Sequence, residues 1–284
     1  MANSTTEYWD IDGTSLHQYG WAVSTVGGAR YDLPVRRGDN RVFAYRPGAV
    51  HRPKLPQHRV IDLAMWLTGT DPATGATVSD PRMRWNDSWD FLRRLVWKPN
   101  GAQVTLTRRW WLTVGSTATL VTADAKAEIV DTMAPTMTGR HRATFTMSLL
   151  MADPYFYGPE ITVNLVKDVP ISINNPGHDV AGFGHMELDI IGSLTGPRVT
   201  NATPSPDVRV WYDPALTIAG GKTLRLDVPA FQATRLPEGA NVIGDVRHGG
   251  ARTWMSLLPG ANLLTLTASA GSGSAQLRFR PPYI

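Results

Sequence analysis

The alternation of apolar and polar positions changes period only once along the chain. Over 58–67 (HRVIDLAMWL), Ile61, Leu63, Met65 and Leu67 alternate with Val60, Asp62, Ala64 and Trp66, the period of a strand. Residues 140–152 repeat the pattern, with Ala143, Phe145, Met147 and Leu149 on one face. Between them, Trp89, Leu92, Leu95 and Val96 recur at helical spacing, with Asp90, Arg93 and Arg94 elsewhere on the wheel. This predicts one short helix at 86–97. Asn86, Asp87 and Ser88 are suitable N-cap residues, and Pro99-Asn100-Gly101 stops it.

Other segments read as strands at 7–13, 16–26, 102–114 and 118–130. Residues 30–56, with Pro34, Pro47, Pro53, Pro56 and many Arg, read as an extended loop or sheet edge, since Pro cannot donate to a ladder. Residues 68–84 read as a polar loop.

Asp153-Pro154 opens a turn, Tyr155-Phe156-Tyr157 pack locally, and Gly158-Pro159 follows. This break divides the chain into expected domains at 1–157 and 158–284. Past it, short strands are expected at 160–166, 169–174, 184–191, 207–212, 215–219, 222–227, 242–246, 252–257, 262–268 and 274–280, the spacing of a β-sandwich. Gly220-Gly221 predicts a hairpin between its flanking strands.

The 284 residues suffice for two cores, and 26 Gly and 21 Pro favour many turns over long helices. With no cysteine, disulfides, thiolate metal sites and a cysteine nucleophile are excluded. No basic region precedes an apolar core at the N-terminus, and no apolar run is long enough to span a bilayer, so neither a signal peptide nor membrane insertion is expected. The net charge of +4 lies wholly in 1–157, with 18 basic against 14 acidic residues; 158–284 is neutral. The Arg36-Arg37, Arg93-Arg94 and Arg108-Arg109 pairs are scattered, which suits solvated faces and subunit contacts better than a nucleic-acid site.

Candidate chemistry is sparse. None of His17, His51, His58, His141, His178, His185 and His248 has a metal-ligand spacing, and no nucleophile elbow or Walker loop is present. Gly182 and Gly184 read as turn residues, not a phosphate cradle. Glu187 and Asp189 share a strand face; this could mimic a glycosidase pair, but a solvated strand face is the expected reading. Catalytic, cofactor-binding and metal residues are therefore expected to be none, and cofactors none. Trp9, Trp66, Trp85, Trp89, Trp97, Trp110, Trp111, Trp211 and Trp254 could stack on sugars, or serve core packing and subunit contact. Trp211-Tyr212-Asp213 is the best local sugar candidate, against an ordinary strand end.

Four stretches in order carry a resemblance: Asp10-Ile11-Asp12-Gly13; the strand 58–67 with its following loop and helix; Asp153-Pro154-Tyr155-Phe156-Tyr157; and the second domain. In that domain they are VPISINNPGHDVAGFGHMELDIIGSLTGPRVTN and the closing run from Thr253 with Pro259-Gly260-Ala261-Asn262. Together these resemble the distal tail protein (Dit) family of long-tailed, flexible-tailed bacteriophages. The loops at 30–56 and 68–84 depart from the family pattern in Pro and Arg content and in length.

The resemblance implies a mostly β, two-domain protein that is not an enzyme. Its N-terminal β domain with one short helix would form a hexameric ring. Its C-terminal β-sandwich would be galectin-like, a shape that does not itself imply sugar binding. The implied partners are the tail tube protein, the tail hub, and the tape measure protein in the lumen, with DNA passing through without specific binding. The implied location is the virion tail tip, after assembly in the host cytoplasm. The alternative is a virion glycan-binding module acting through the C-terminal sandwich.

Overall fold

The computed structural model describes residues 7–17, 21–23, 36–37, 41–42, 49–50, 55–56, 58–69, 80–98, 102–114, 117–130, 133–139, 142–182, 184–203, 208–212, 216–250 and 255–284. The chain is mostly β. It divides into two compact units, residues 1–156 with Ile284, and residues 157–283.

The first unit contains β1 (Glu7–Ile11), β2 (Thr14–Ser15), β3 (Trp21–Val23), β4 (Arg36–Arg37), β5 (Arg41–Val42), β6 (Ala49–Val50), β7 (Leu55–Pro56) and β8 (Arg59–Thr68). Helix α1 (Pro81–Val96), β9 (Val104–Val114), β10 (Thr117–Ile129), β11 (Thr136–Gly139) and β12 (Arg142–Met151) follow. The sheet order is β2-β1-β9-β10-β12-β8-β3, all antiparallel, with β11 on β12. Of the second strand expected at 16–26, only Trp21–Val23 is strand among the described residues, as β3, and the segment at 30–56 contains two short antiparallel pairs, β4 with β7 and β5 with β6. Its remaining residues, and 70–79 of the second loop, lie outside the described ones.

Two local choices fix the entry to this sheet. Asp12 and Gly13 both have positive φ, 47° and 78°, as a two-residue type I′ hairpin requires. The Asp12 carboxylate then accepts the Thr105 amide at 2.8 Å, tying the hairpin to β9. In β8 and β12 the predicted faces are the buried ones: Ile61, Leu63, Met65 and Leu67 meet Leu149, Met147, Phe145 and Ala143 in register.

The helix begins earlier than the triplet Asn86-Asp87-Ser88 suggested. Asp80 is the N-cap, its Oδ1 accepting the amides of Arg82 at 3.1 Å and Met83 at 3.0 Å, and Pro81 occupies the first turn, where its missing N–H is not needed. Ser88 instead lies in the buried stripe with Leu92 and Val96. Asp80→Ala should lower stability by about 1 kcal/mol, read as a thermal-unfolding shift of the full chain. An unchanged midpoint would show that the cap contributes nothing.

The second unit contains β14 (Ile161–Val166), β15 (Ile171–Asn175), β16 (Met186–Thr195), β17 (Arg198–Asn201), β18 (Val208–Tyr212), β19 (Thr217–Ile218), β20 (Thr223–Asp227), β21 (Gln232–Leu236) and β22 (Ala240–Asn241). After a 3-10 turn at Ile243–Asp245 come β23 (Val246–Gly250), β24 (Gly260–Thr267), β25 (Ala270–Phe279) and β26 (Pro282–Tyr283). Residues Phe156–Tyr157, where the units divide, form β13. One sheet runs β14-β25-β16-β20-β21-β22 with β19 beside β16, and the other β15-β24-β17-β18-β23. Leu188, Leu226 and Leu277 from the first and Val199, Leu264 and Leu266 from the second share one buried cluster, which makes the unit a sandwich.

Three expectations are corrected here. Gly220-Gly221 makes a turn, closed by Lys222 N–H to the Ala219 carbonyl at 3.1 Å, but β19 and β20 do not pair with each other. Both lie along β16. Only Gly221 has positive φ, 75°, the type II pattern, whose twist does not continue into a tight hairpin. The strand expected at 242–246 is the 3-10 turn, with β23 after it. Of the strand expected at 252–257, residues 252–254 lie outside the described ones, and the buried 255–257 form no strand: Leu257 makes an isolated bridge to Ala181.

Candidate functional site

The chemistry-bearing side chains fall into one layer in each unit. In the first, period-two alternation along β9 turns Arg108 inward and Arg109 outward. Arg108 is 7% exposed and its guanidinium pairs with the carboxylate of Glu7, itself 8% exposed. It lies 4.7 Å from the Trp110 ring centroid and 5.6 Å from that of Trp9, so two aromatic faces replace lost hydration. On the outward face Arg109 grips Asp10 through two contacts of 2.8 and 2.9 Å and lies over Tyr8. Thr107 donates to Asp124 at 2.8 Å and Lys126 to Thr105 at 2.7 Å. Beyond this neutralised polar band the cross-strand pair Trp111 and Leu120 is exposed, at 52% and 46%. Such a face suits apolar contact with a protein rather than bond-making.

His17 packs edge-on to Tyr8 at 5.8 Å. Burial holds its imidazole below the ordinary 6.5, a pull that Asp10 opposes and Arg109 reinforces. In the unfolded chain it takes a proton near 6.5; in the folded chain it does so only at lower pH. Its contribution is therefore intact above pH 6.5 and is lost as pH falls from 6.5 toward the folded value. Burial raises the Asp12 pKa, but the Lys98 and Thr105 bonds and Lys126 outweigh it, so that contribution is lost below 3.8. Thermal midpoints measured from pH 7.5 to 5 should fall, and His17→Phe should flatten that slope; an equal slope in both proteins would contradict the assignment.

In the second unit the structure brings Glu187 and Asp189 together as predicted, but not as a solvated face or an acid pair. Asp189 is 6% exposed. Arg225 meets it with both Nε, 2.8 Å, and Nη2, 2.9 Å, while Arg278 bridges Asp189 at 2.9 Å and Glu187 at 2.6 Å. The Asp189 hydrogen bond and the surrounding carboxylates raise the Arg225 pKa above its ordinary value despite burial, so it stays charged. Two carboxylates held by two guanidiniums make a structural ion-pair cluster with no free general acid.

The motif residues of the second unit are turn-fixing asparagines. Asn262 accepts the Leu258 amide at 2.9 Å and donates to the carbonyls of Leu258 and Gly260 at 2.8 and 2.9 Å. Asn201 donates to Asn262 Oδ1 and to the Ser256 carbonyl, each at 2.9 Å. Asn175 accepts the Gly177 amide and donates to the carbonyls of Asp179 and Leu257. Gly177 is required there because a Cβ would come within 2.5 Å of the Pro282 carbonyl oxygen.

Of the tryptophans, Trp9 and Trp110 are core, and Trp85 stacks on Trp89, which meets Phe145 edge-on. Trp97 and Trp111 are exposed, at 82% and 52%, and both belong to the first unit. For Trp211-Tyr212-Asp213, the structure describes the backbone of the first two as strand; their side chains and Asp213 lie outside the described residues. Among the described residues no three His, Asp or Glu converge as metal ligands, and no helix is long and apolar enough to cross a membrane. The sequence reading missed Arg142, whose guanidinium covers Trp66 at 5.7 Å from the ring centroid. The signal was present: β12 alternation places Arg142 outward, opposite Thr68.

The mostly β architecture, in two compact units, has a counterpart among solved phage proteins. In fold the chain is similar to the SPP1 Dit (gp19.1) protein, described as a paradigm of the hub adsorption apparatus in phages that infect Gram-positive bacteria. The likeness covers 98% of this chain and 99% of that one, with a TM-score of 0.61 at 13% identity. A chain of the phage p2 baseplate, in its activated conformation with Sr, aligns over 96% of this chain and 97% of that one at a TM-score of 0.35 and 10% identity. No family model and no curated protein matches the sequence.

Proposed function

We propose that this chain is a non-enzymatic structural protein of a phage tail tip, one subunit of a hexameric ring joining the tail tube to the distal hub. The observation that carries the reading is the fold likeness to SPP1 Dit along nearly the full length of both chains. Residues 1–157 form the ring and 158–284 its galectin-like outer domain. The tape measure protein and DNA pass through the lumen, DNA without specific contacts. The chain is a virion component, assembled in the host cytoplasm.

The surfaces support this. A head-to-tail ring needs two different exposed patches on a rigid layer. The first unit presents Trp97, and separately Trp111 with Leu120, on a strand-braced frame. Arg109 and Lys126 are already engaged by Asp10 and Thr105, which fits a surface not committed to phosphate. Gold-labelled antibody against the chain should mark the distal end of the tail in intact virions. Label along the tail shaft or on the head would overturn the reading.

A further inference from the structure

The β8–β12 pair offers two different surfaces. Phe145 points inward, and α1 packs there through Trp89, 5.2 Å from Phe145 between ring centroids. The outward face carries a groove of about 570 Å³ whose lining includes Ala64, Trp66, Thr136, Arg142, Thr144 and Thr146. The Arg142 guanidinium is exposed, rests over Trp66, and makes no ion pair among the described residues. Thr136, Thr144 and Thr146 are exposed beside it. Among the described residues the groove is thus cationic, with an aromatic floor and hydroxyl walls, and no carboxylate of theirs lines it.

Its complement lies on α1. Met83, Asp87, Asp90 and Phe91 follow one another at helical spacing on the exposed side of the helix. Neither Asp87 nor Asp90 makes an ion pair among the described residues. Arg82 and Arg93 leave by other sides of the wheel; Arg94 lies on this same face, one turn after Asp90, so the face carries two carboxylates against one guanidinium. The helix packs on the inward side of β8–β12 and the groove opens on the outward side, so one molecule does not satisfy both from within. Two complementary patches facing different directions are what a head-to-tail contact requires.

We infer that the Asp87–Asp90 face of one copy docks on the Arg142–Trp66 groove of the next. A guanidinium stacked on an aromatic ring keeps its N–H edge free, so it can hold a carboxylate in the guanidinium plane while Met83 and Phe91 cover the apolar rim. This rests on the ring reading and names one of its contacts.

Native mass of the full chain at fixed concentration tests it. Arg142→Glu, or Asp87→Arg with Asp90→Arg, lowers the ring fraction at least about tenfold, and the triple variant with both reversals returns to within about threefold of wild type. Thr144→Trp fills the groove without touching a charge and lowers the ring fraction as well. The inference is overturned if wild-type rings ignore any of these changes, or if a folded triple variant stays as dissociated as the reversals alone. A wild-type chain that never forms rings overturns the ring reading itself, and the inference with it.

Discussion

Glu7→Gln lowers the stability of the first unit by about 3–5 kcal/mol, because it leaves the Arg108 guanidinium buried without its counter-charge. Both groups are nearly inaccessible, and the pair bridges β1 and β9 beneath Trp9 and Trp110. The rings offset part of the lost hydration but supply no acceptor for the guanidinium N–H groups. Removing the charge altogether, as Glu7→Gln with Arg108→Met, recovers much of the loss, since an apolar chain of similar length fits between two indoles. Urea unfolding followed by tryptophan fluorescence measures both. A single variant within about 1 kcal/mol of wild type would show that the pair is effectively solvated.

Asn262→Ala costs the second unit about 3 kcal/mol. Its side chain makes four hydrogen bonds at the start of β24, and it is 1% exposed. Alanine leaves the Leu258 amide and the Leu258 and Gly260 carbonyls without this partner, and each buried unsatisfied group costs about 1–3 kcal/mol where water cannot replace it. Gly260 in the same turn has φ 87°, a left-handed conformation that glycine enters without strain and that the Asn262 bonds hold in place. The denaturant midpoint of the full chain reads the effect; a loss under about 1 kcal/mol would mean that water enters the turn.

The core strands were legible because their burial is one-sided. β8 and β12 alternate cleanly, and a one-residue slip would turn Leu63 and Met147 to solvent. The helix start was less so: Asn86-Asp87-Ser88 satisfies the chemistry of a cap, but Asp80-Pro81 supplies both the acceptor and the first-turn proline. β17 and β21 escaped notice because their apolar signal is sparse: Val199 alone in the first, Ala233 and Leu236 without a period of two in the second. Long-range charge pairing was hidden for a different reason. Glu187 and Asp189 look like a free acidic face until β20 and β25 bring Arg225 and Arg278 alongside in register, and no local pattern encodes that register. The paired arginines Arg108 and Arg109 look alike in sequence, yet alternation places one in the core and one on the surface.

Native mass together with negative-stain images of the same sample shows whether the chain is a ring subunit. Particles of about six chains with an open centre, closed by a repeated head-to-tail interface, are expected. A monodisperse single chain at every concentration, with no annular particles in the images, would contradict it.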